Sequence, residues 1–497
     1  MSGVVRARQR AAREVADFLR IGPVQVAELE LGAGDAPGAT LRPGPGSPPV
    51  TSGEVFVLVR RAGRPVGTFV GRVPEGADPV EVLAGAARGV GASSAGVSSV
   101  GVSSTEVSSA GGVPGGGGPG AASSPGERGG GLVPPSVSVV VATRERAGQL
   151  ARALDSLLVQ DHPDFEIVVV DNAPVTTGTR DLIGRKYGER VRYVLEPVPG
   201  LAAAHNRGLA VVRGDTVAFT DDDVIADPRW LTELTTPFAA DPGLGCVTGL
   251  ILPARLRTPA QVLLESHGGF AKGFTPRTYD PGDPPADEPL FPFTAGRFGS
   301  GANMAFRTAV LRTVGGFDPA TGAGTRARGG DDLYGFVRVL AQGHRLHYTP
   351  LALVWHHHRE TWRDLETQAY GYGAGLTAYL TATLVNRPAL LPAFLARLPR
   401  GLAHARALTA VRGAGARGSE VASGRAPGGG SGEGSRGVVA GVPGGVTVGV
   451  PGGHDARTHA WPRRLSRLQR RGMLYGPIGY LRARHALRTS GSGLEAR

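Results

Sequence analysis

Val217-Ala218-Phe219-Thr220-Asp221-Asp222-Asp223-Val224 sets an apolar run, of the kind that buries as a strand, directly against three adjacent carboxylates. Carboxylates this close repel, and they stay ionised together at neutral pH only where a cation compensates them. Asp221 and Asp223, at alternate positions around Asp222, offer the hard oxygen ligands that Mg2+ or Mn2+ takes when it also holds substrate phosphates. A solvated acidic loop is the plainer reading of the triplet taken alone. The flanking sequence has to separate the two.

Upstream, Val137 to Ala142 is almost unbroken apolar sequence, followed by Thr143-Arg144-Glu145-Arg146 and then Leu150, Leu154, Leu157 and Leu158 at helical spacing. A second β-branched run, Phe165 to Val170, ends in Asp171-Asn172; a third, Val191 to Leu195, leads through Pro197-Val198-Pro199-Gly200 into a helix over 201–212. Strand, helix, strand, helix, strand, with strands apolar on both faces, predicts an α/β fold with a doubly wound, mostly parallel sheet. Ligands bind such sheets at the carboxyl ends of the strands. Here those ends carry Thr143-Arg144, Asp171 and Asp221 to Asp223.

Ala142 to Gly148 matches neither G-x-G-x-x-G nor the Walker pattern, which argues against a dinucleotide enzyme or a P-loop NTPase. A nucleotide still fits, with Asp171 accepting from a base imide or ribose hydroxyl and the acidic metal site neutralising its diphosphate. That division of labour suits a nucleotide-sugar enzyme.

With those features in order, residues 136 to about 360 resemble the family-2 glycosyltransferases of the GT-A fold. The likeness is carried by Val-Ser-Val-Val-Val-Ala-Thr-Arg at 137–144, Val-Val-Val-Asp-Asn at 168–172, Ala204-His205-Asn206-Arg207-Gly208, and the D-x-D motif at Asp221 and Asp223. Asn303-Met304-Ala305-Phe306, Gly315-Gly316-Phe317-Asp318 and Gly329-Gly330-Asp331-Asp332 continue it. The resemblance implies inverting transfer of a sugar from a nucleotide-diphosphate donor to an acceptor hydroxyl. It places the donor against Thr143, Arg144, Glu145, Asp171, Asn206, Asp221 and Asp222, and the Mg2+ or Mn2+ on Asp221, Asp223 and His356, with His358 as a second candidate ligand.

Asp331-Asp332 stands where the family commonly has Glu-Asp, which implies Asp332 as general base and Asp331 as a residue that positions the acceptor. Neighbouring carboxylates raise one another's pKa toward the range useful for taking a proton. Asp331 also suits the cap of a helix beginning at Leu333, a role that can coexist with the first. His205 stands where relatives often carry Arg or Lys, which leaves a donor contact there without support. Phe270, Phe274, Tyr279, Phe291, Phe293 and Phe298 read either as an acceptor surface or as ordinary core. A sugar nucleotidyltransferase, or an inactive nucleotide-sugar-binding relative, is the alternative; the first needs a Gly-rich phosphate loop that is absent here, and the second has no use for both acidic centres.

Around this domain (133–365) the sequence predicts a small α+β module over 1–88, a Gly/Ser-rich linker over 89–132, a helical extension over 366–412, a Gly-rich linker over 413–455 and a basic helical tail over 456–497. The module's role is opaque in the sequence: a helix over 5–20, a strand over 24–31, a hairpin of 55–59 with 66–70, and a helix from Pro79 capped by Asp78. The net charge of +12 raises nucleic acid as a partner. The basic residues are nearly all Arg, with Lys186 and Lys272 the only lysines, and no reading motif accompanies them, so nucleic acid is not expected. One cysteine, Cys246, excludes an intrachain disulfide and fits a reducing, cytoplasmic setting. No apolar run reaches the roughly 18 residues of a membrane span. The basic C-terminal helices bring the inner face of a membrane within reach, and the acceptor is left open among a saccharide, a lipid-linked sugar and a small molecule.

Overall fold

A computed structural model describes residues 18–32, 38–88, 90, 134–267, 269–400, 403 and 461–491. The two expected linkers (Val90 apart), most of the helix expected over 5–20 and the last part of the helical extension lie outside them.

Four strands, β1 (Gln25–Leu31), β2 (Thr40–Pro43), β3 (Gly53–Arg61) and β4 (Arg64–Val73), form a sheet in the order β2-β1-β3-β4. The β3–β4 hairpin turns on Ala62 and Gly63, with φ of 50° and 73°. That left-handed pair is what a two-residue turn needs to follow the strand twist. Helix α1 (Pro79–Ala87) starts where the Asp78 carboxylate accepts the Val80 amide, and it buries Leu83 and Ala87 in one cluster with Phe69 and Val73. The other face of the module is not free: Ile21, Val24, Val26, Phe56 and Leu58 share a core with Leu250, Leu252, Leu353 and Trp355 of the following domain.

That domain opens β5 (Val137–Thr143), α2 (Ala147–Leu157), β6 (Phe165–Asn172), α3 (Gly178–Leu182), β7 (Arg192–Glu196), α4 (Leu201–Val211), β8 (Thr216–Asp221). It continues β9 (Val224–Ala226), α5 (Trp230–Ala240), β10 (Leu244–Pro253), α6 (Pro259–Ser266), β11 (Arg277–Tyr279), β12 (Met304–Arg307), α7 (Thr308–Thr313), α8 (Asp331–Ala341), β13 (Arg345–His356) and α9 (Trp362–Asn386). The sheet runs β11-β13-β10-β12-β8-β5-β6-β7. It is mixed: β8, β5, β6 and β7 are parallel neighbours, as are β10 and β13, while β12 lies antiparallel between β8 and β10.

Alternation along each strand sends side chains to both faces. Val140, Val168, Val170 and Phe219 meet α4 and α8 on one side; Val139, Val141, Val169 and Ala218 meet α2 and α5 on the other. The approach of α4 is close enough that a Cβ on Gly208 would stand 2.5 Å from Val140 Cγ1. After α9 and a further helical stretch to residue 400, the last described element is α10 (Arg463–Gly491), packed along α9.

Phe219 is fully buried, with its ring 5.3 Å from Phe317 and 4.8 Å from His205. Phe219→Ala is expected to lower stability by about 3–5 kcal/mol, the usual cost of an emptied aromatic site, measured by urea unfolding with the slope unchanged. A loss under roughly 1 kcal/mol would mean that this core collapses around the gap, contrary to its packing.

Candidate functional site

The parallel register sets the strand ends level: Thr143 pairs with Asp171, and Ala142 with Asp221. The three expected polar strand ends therefore share one edge of the sheet. Strand β9 turns back after Asp223 and pairs with the end of β13, setting Val224 opposite His356. The His357 amide donates to the Asp223 carbonyl at 2.9 Å. This pairing brings residues 133 positions apart in sequence to one point: Asp221, Asp223 and His356 offer ligand atoms all within 4.8 Å of one another.

The triplet is compensated from two sides. Thr143 Oγ1 donates to Asp222 at 2.7 Å, and Arg146 reaches Asp222 at 3.0 Å and Asp223 at 3.3 Å. On the other side His356 Nε2 faces Asp223 Oδ1 at 3.3 Å. Burial and then the Asp223 charge push the Asp221 carboxyl up to about 7. Burial also raises Asp222, against the pull of Arg146. Burial acts the same way on Asp223, but His356, Arg359 and Arg146 overcome it and hold this carboxyl far below the usual range. Asp223 Oδ1 is buried without a hydrogen-bond partner. An unspent carboxylate oxygen beside a second carboxylate and an imidazole nitrogen is a donor set that fits a divalent cation.

Behind His356 the side chains form a chain. His356 Nδ1 lies 3.1 Å from His358 Nδ1, and His358 Nε2 lies 3.0 Å from Glu265 Oε2 on α6. The Gln261 amide donates to the His358 carbonyl at 3.1 Å. Both ring nitrogens of His358 are thus engaged away from Asp221 and Asp223, so of the two candidate histidines only His356 belongs to the acidic cluster.

The second acidic centre opens α8. Gly330, with φ of 88°, takes the cap position, so Asp331 does not cap with its side chain. Asp331 is buried, and its carboxylate faces His205 Nδ1 at 3.2 Å. His205 is itself buried between Phe219 and Phe317, at ring distances of 4.8 and 5.2 Å. Asp332 accepts from the Gly301 amide at 2.9 Å and the Leu333 amide at 2.8 Å. Burial, followed by the Asp331 charge, pushes its carboxyl up to about 6.

One loop links the centres. Thr220, next to Asp221, donates to the Ala302 carbonyl at 2.8 Å, and the next residue back, Gly301, donates to Asp332. Asn303 fixes this loop, bonding Leu250 and Ala352 carbonyls at 2.9 and 2.8 Å while accepting from Trp230 at 2.9 Å. Tyr372 of α9 feels the charges of both Asp332 and Asp221, and its ring stands edge-on to Phe270.

Other expected donor residues are placed as follows. Arg144 is exposed at the edge. Glu145 has φ of 56° and spends its carboxylate on the Val175 and Thr176 amides and the Thr176 hydroxyl, at 2.8, 3.0 and 2.7 Å. Asp171 is wholly buried, accepts from the Tyr193 hydroxyl at 3.0 Å and is raised by burial. Asn206 uses both ends of its amide on the Phe317 backbone, at 2.8 and 2.9 Å, and so braces the Gly316–Phe317 turn, away from the edge. Tyr279, Phe291, Phe293 and Phe298 are at most 5% exposed. They are core, not surface, whereas Phe270 reaches the site, 5.1 Å from His356. Arg146 and Glu265 carry no signal of their own in the sequence, since each acquires its partner across at least 76 residues.

Residues 134–370 match the model of the "Glycosyltransferase like family 2" family. The pre-mycofactocin glycosyltransferase of Mycobacterium tuberculosis is 30% identical over 241 residues, 48% of this chain and 46% of that protein. The validoxylamine A glucosyltransferase of Streptomyces hygroscopicus is 36% identical over 125 residues, 23% of this chain and 29% of that protein. The chain thus spans less than half the length of these curated relatives. Among solved structures, a mannosyltransferase from Pyrobaculum calidifontis in complex with GDP-Man and Mn2+ aligns at 24% identity over 59% of this chain and 77% of that one, with a TM-score of 0.38. The matched segment runs from just before β5 into α9 and contains both acidic centres, so it is this segment that is similar to the family-2 glycosyltransferases.

Proposed function

We propose that this protein is an inverting, metal-dependent glycosyltransferase that moves a sugar from a nucleotide-diphosphate donor to an acceptor hydroxyl. The observation that carries the reading is the pairing of two unlike acidic centres across the 300–303 loop. One offers two carboxylates and an imidazole with ligand atoms within 4.8 Å of one another; the other holds a carboxylate, Asp332, oriented by two backbone amides.

Asp221, Asp223 and His356 would hold Mg2+ or Mn2+, which as a Lewis acid stabilises the charge on the departing diphosphate. For His356 to bind through Nε2 its proton must sit on Nδ1. The chain to His358 and Glu265 supplies that arrangement: His356 Nδ1 donates to His358 Nδ1, and His358 Nε2 donates to Glu265. Such partners fix the tautomer and orientation of a ligating imidazole. Arg146 and Thr143 hold Asp222 in place beside the cluster, and Arg144 and Asp171 lie at the same edge for the nucleotide.

On the acceptor side Asp332 takes the hydroxyl proton. The freed oxygen attacks the anomeric carbon from the face opposite the diphosphate, the new C–O bond forms as the bond to the β-phosphate oxygen breaks, and the nucleoside diphosphate leaves with that electron pair. The Gly301 and Leu333 amides orient Asp332, and Asp331, turned toward His205, raises its basicity. The start of α8 also favours the carboxylate form that accepts the proton.

Thermal unfolding with UDP-, GDP- and dTDP-sugars, with and without Mn2+, is expected to show a metal-dependent rise for one nucleotide family; no rise with any of them overturns the reading. Asp223→Ala should remove that rise. Glu265→Gln should weaken Mn2+ binding about 10–100-fold in a direct titration without donor, and an unchanged affinity would leave the histidine chain without a role.

Asp332→Asn should keep donor binding and lower turnover by about 10²–10⁴-fold. Because the folded pKa of Asp332 is raised, its base form is present above about 6 and lost as pH falls through that value. The wild-type rate should therefore drop on the acid side of about 6, and a flat profile there would move the base elsewhere.

A further inference from the structure

Helix α10 contains no acidic residue over its 29 positions and carries most of its arginines in its first three turns. Its inner face is fixed. A Cβ on Gly472 would stand 2.1 Å from the Tyr370 carbonyl, and one on Gly476 would stand 2.3 Å from the Ala374 carbonyl, so the backbones of α9 and α10 touch and the helix cannot roll. Tyr480, wholly buried, donates to Asp318 at 2.8 Å and locks the far end.

With that face spent, Leu474, Ile478 and Leu481 point outward at 78%, 49% and 52% exposure. Their spacing of four and then three residues puts them on one stripe. Arg467, Arg470 and Arg471 are exposed one to two turns before it, without an ion pair among the described residues. An apolar stripe bordered by unpaired arginines on a helix without carboxylates is complementary to one surface: apolar chains under anionic headgroups. Two copies meeting through this stripe would set arginine against arginine. A nucleic acid would pair the arginines but leave the three aliphatic chains in water.

We propose that the outer face of α10 docks the protein on an anionic lipid bilayer, with Leu474, Ile478 and Leu481 entering the headgroup boundary and Arg467, Arg470 and Arg471 pairing with lipid phosphates. No helix of the described residues is long and apolar enough to cross a membrane, so the contact is a surface one. The docking stands independently of the sugar-transfer reading. Its consequence for the acceptor does rest on that reading: only α9 lies between α10 and Gly330, whose Cβ would meet the Gly375 carbonyl at 2.5 Å, and Gly330 starts the helix of Asp332. A bilayer on α10 thus lies one helix away from the proposed base, where a lipid-linked acceptor would be presented.

The test is flotation of the full chain with vesicles of phosphatidylcholine alone and of equal parts phosphatidylcholine and phosphatidylglycerol, at low and raised salt. Flotation with the anionic vesicles only, weakening with salt, is the expected result. Arg467→Gln/Arg470→Gln/Arg471→Gln should lower partitioning by about a hundredfold, and Leu474→Ser/Ile478→Ser/Leu481→Ser by roughly tenfold or more. Both sets are exposed, so the unfolding midpoint should stay at the wild-type value. No flotation with either vesicle overturns the proposal, as does flotation that neither variant alters. Retention of a poly-uridine oligonucleotide without flotation would reassign the face to nucleic acid and overturn it too. Metal-dependent donor binding by the leucine variant, measured alongside, separates a failure of docking from a failure of the catalytic reading.

Discussion

Three carboxylates at the end of one buried strand are the constraint that the domain is built to satisfy. Desolvation alone would push all three toward the neutral acid, and two of them do rise. Asp223 escapes because β9 turns back and pairs with β13, which delivers His356 to its Oδ1 while Arg146 approaches from the β5 loop. Coulomb attraction in a desolvated setting is strong enough to reverse the burial effect only at such contact distances. The β9–β13 pairing thus has an electrostatic consequence: without β13 beside β9, the triplet would have Arg146 as its nearest cation and no histidine.

The N-terminal module bears on the same point from behind. Arg60 bonds Glu28 and Asp227, each at 2.6 Å, and Asp227 directly follows β9. The pair is largely buried, so breaking one partner strands a charge, which costs far more than a surface ion pair contributes. Together with the shared core of Phe56, Leu58, Leu252 and Trp355, this makes the module a back plate for the short strand that fixes Asp223. Nothing in residues 1–88 announces that role. The information lies in a contact across 167 residues.

What was legible in the sequence follows from the same physics. Unbroken β-branched runs with helical spacing between them read as parallel strands buried on both faces, which holds for β5, β6 and β8; β7 is parallel too but lies at the sheet edge with Leu195 exposed, so its burial was not legible in its apolar sequence. The antiparallel insertion of β12 was not: Met304–Arg307 is only four residues long, too short for periodicity to speak. Asn206 illustrates a different limit. Its place beside a motif says that it matters, but not whether its amide faces a ligand or, as here, clasps the Phe317 backbone. The aromatics of 279–298 divide in the same way, since composition cannot distinguish a ring that stacks on a sugar from one that fills a core. His356 and His358 share a strand-like alternation and a face, yet Glu265 claims one of them.

The glycines of the C-terminal helix pair complete the argument. A Cβ at Gly373 would stand 1.9 Å from the Gln469 carbonyl, and one at Gly375 3.0 Å from the Gly329 carbonyl carbon, so α9 is pressed by backbone on both sides. Close-packed backbones have few ways to yield: a shift of α10 must move α9 or open a gap, and close-packed interiors transmit such displacements instead of absorbing them. Gly330 takes the left-handed conformation from which Asp331 turns to His205 and Asp332 to the Gly301 amide. Main chain thus lies against main chain from α10 through α9 to the turn that carries the carboxylate pair. Substituting alanine at Gly375 would test that rigidity from the inside, because the added methyl has backbone, and not a flexible side chain, in its path.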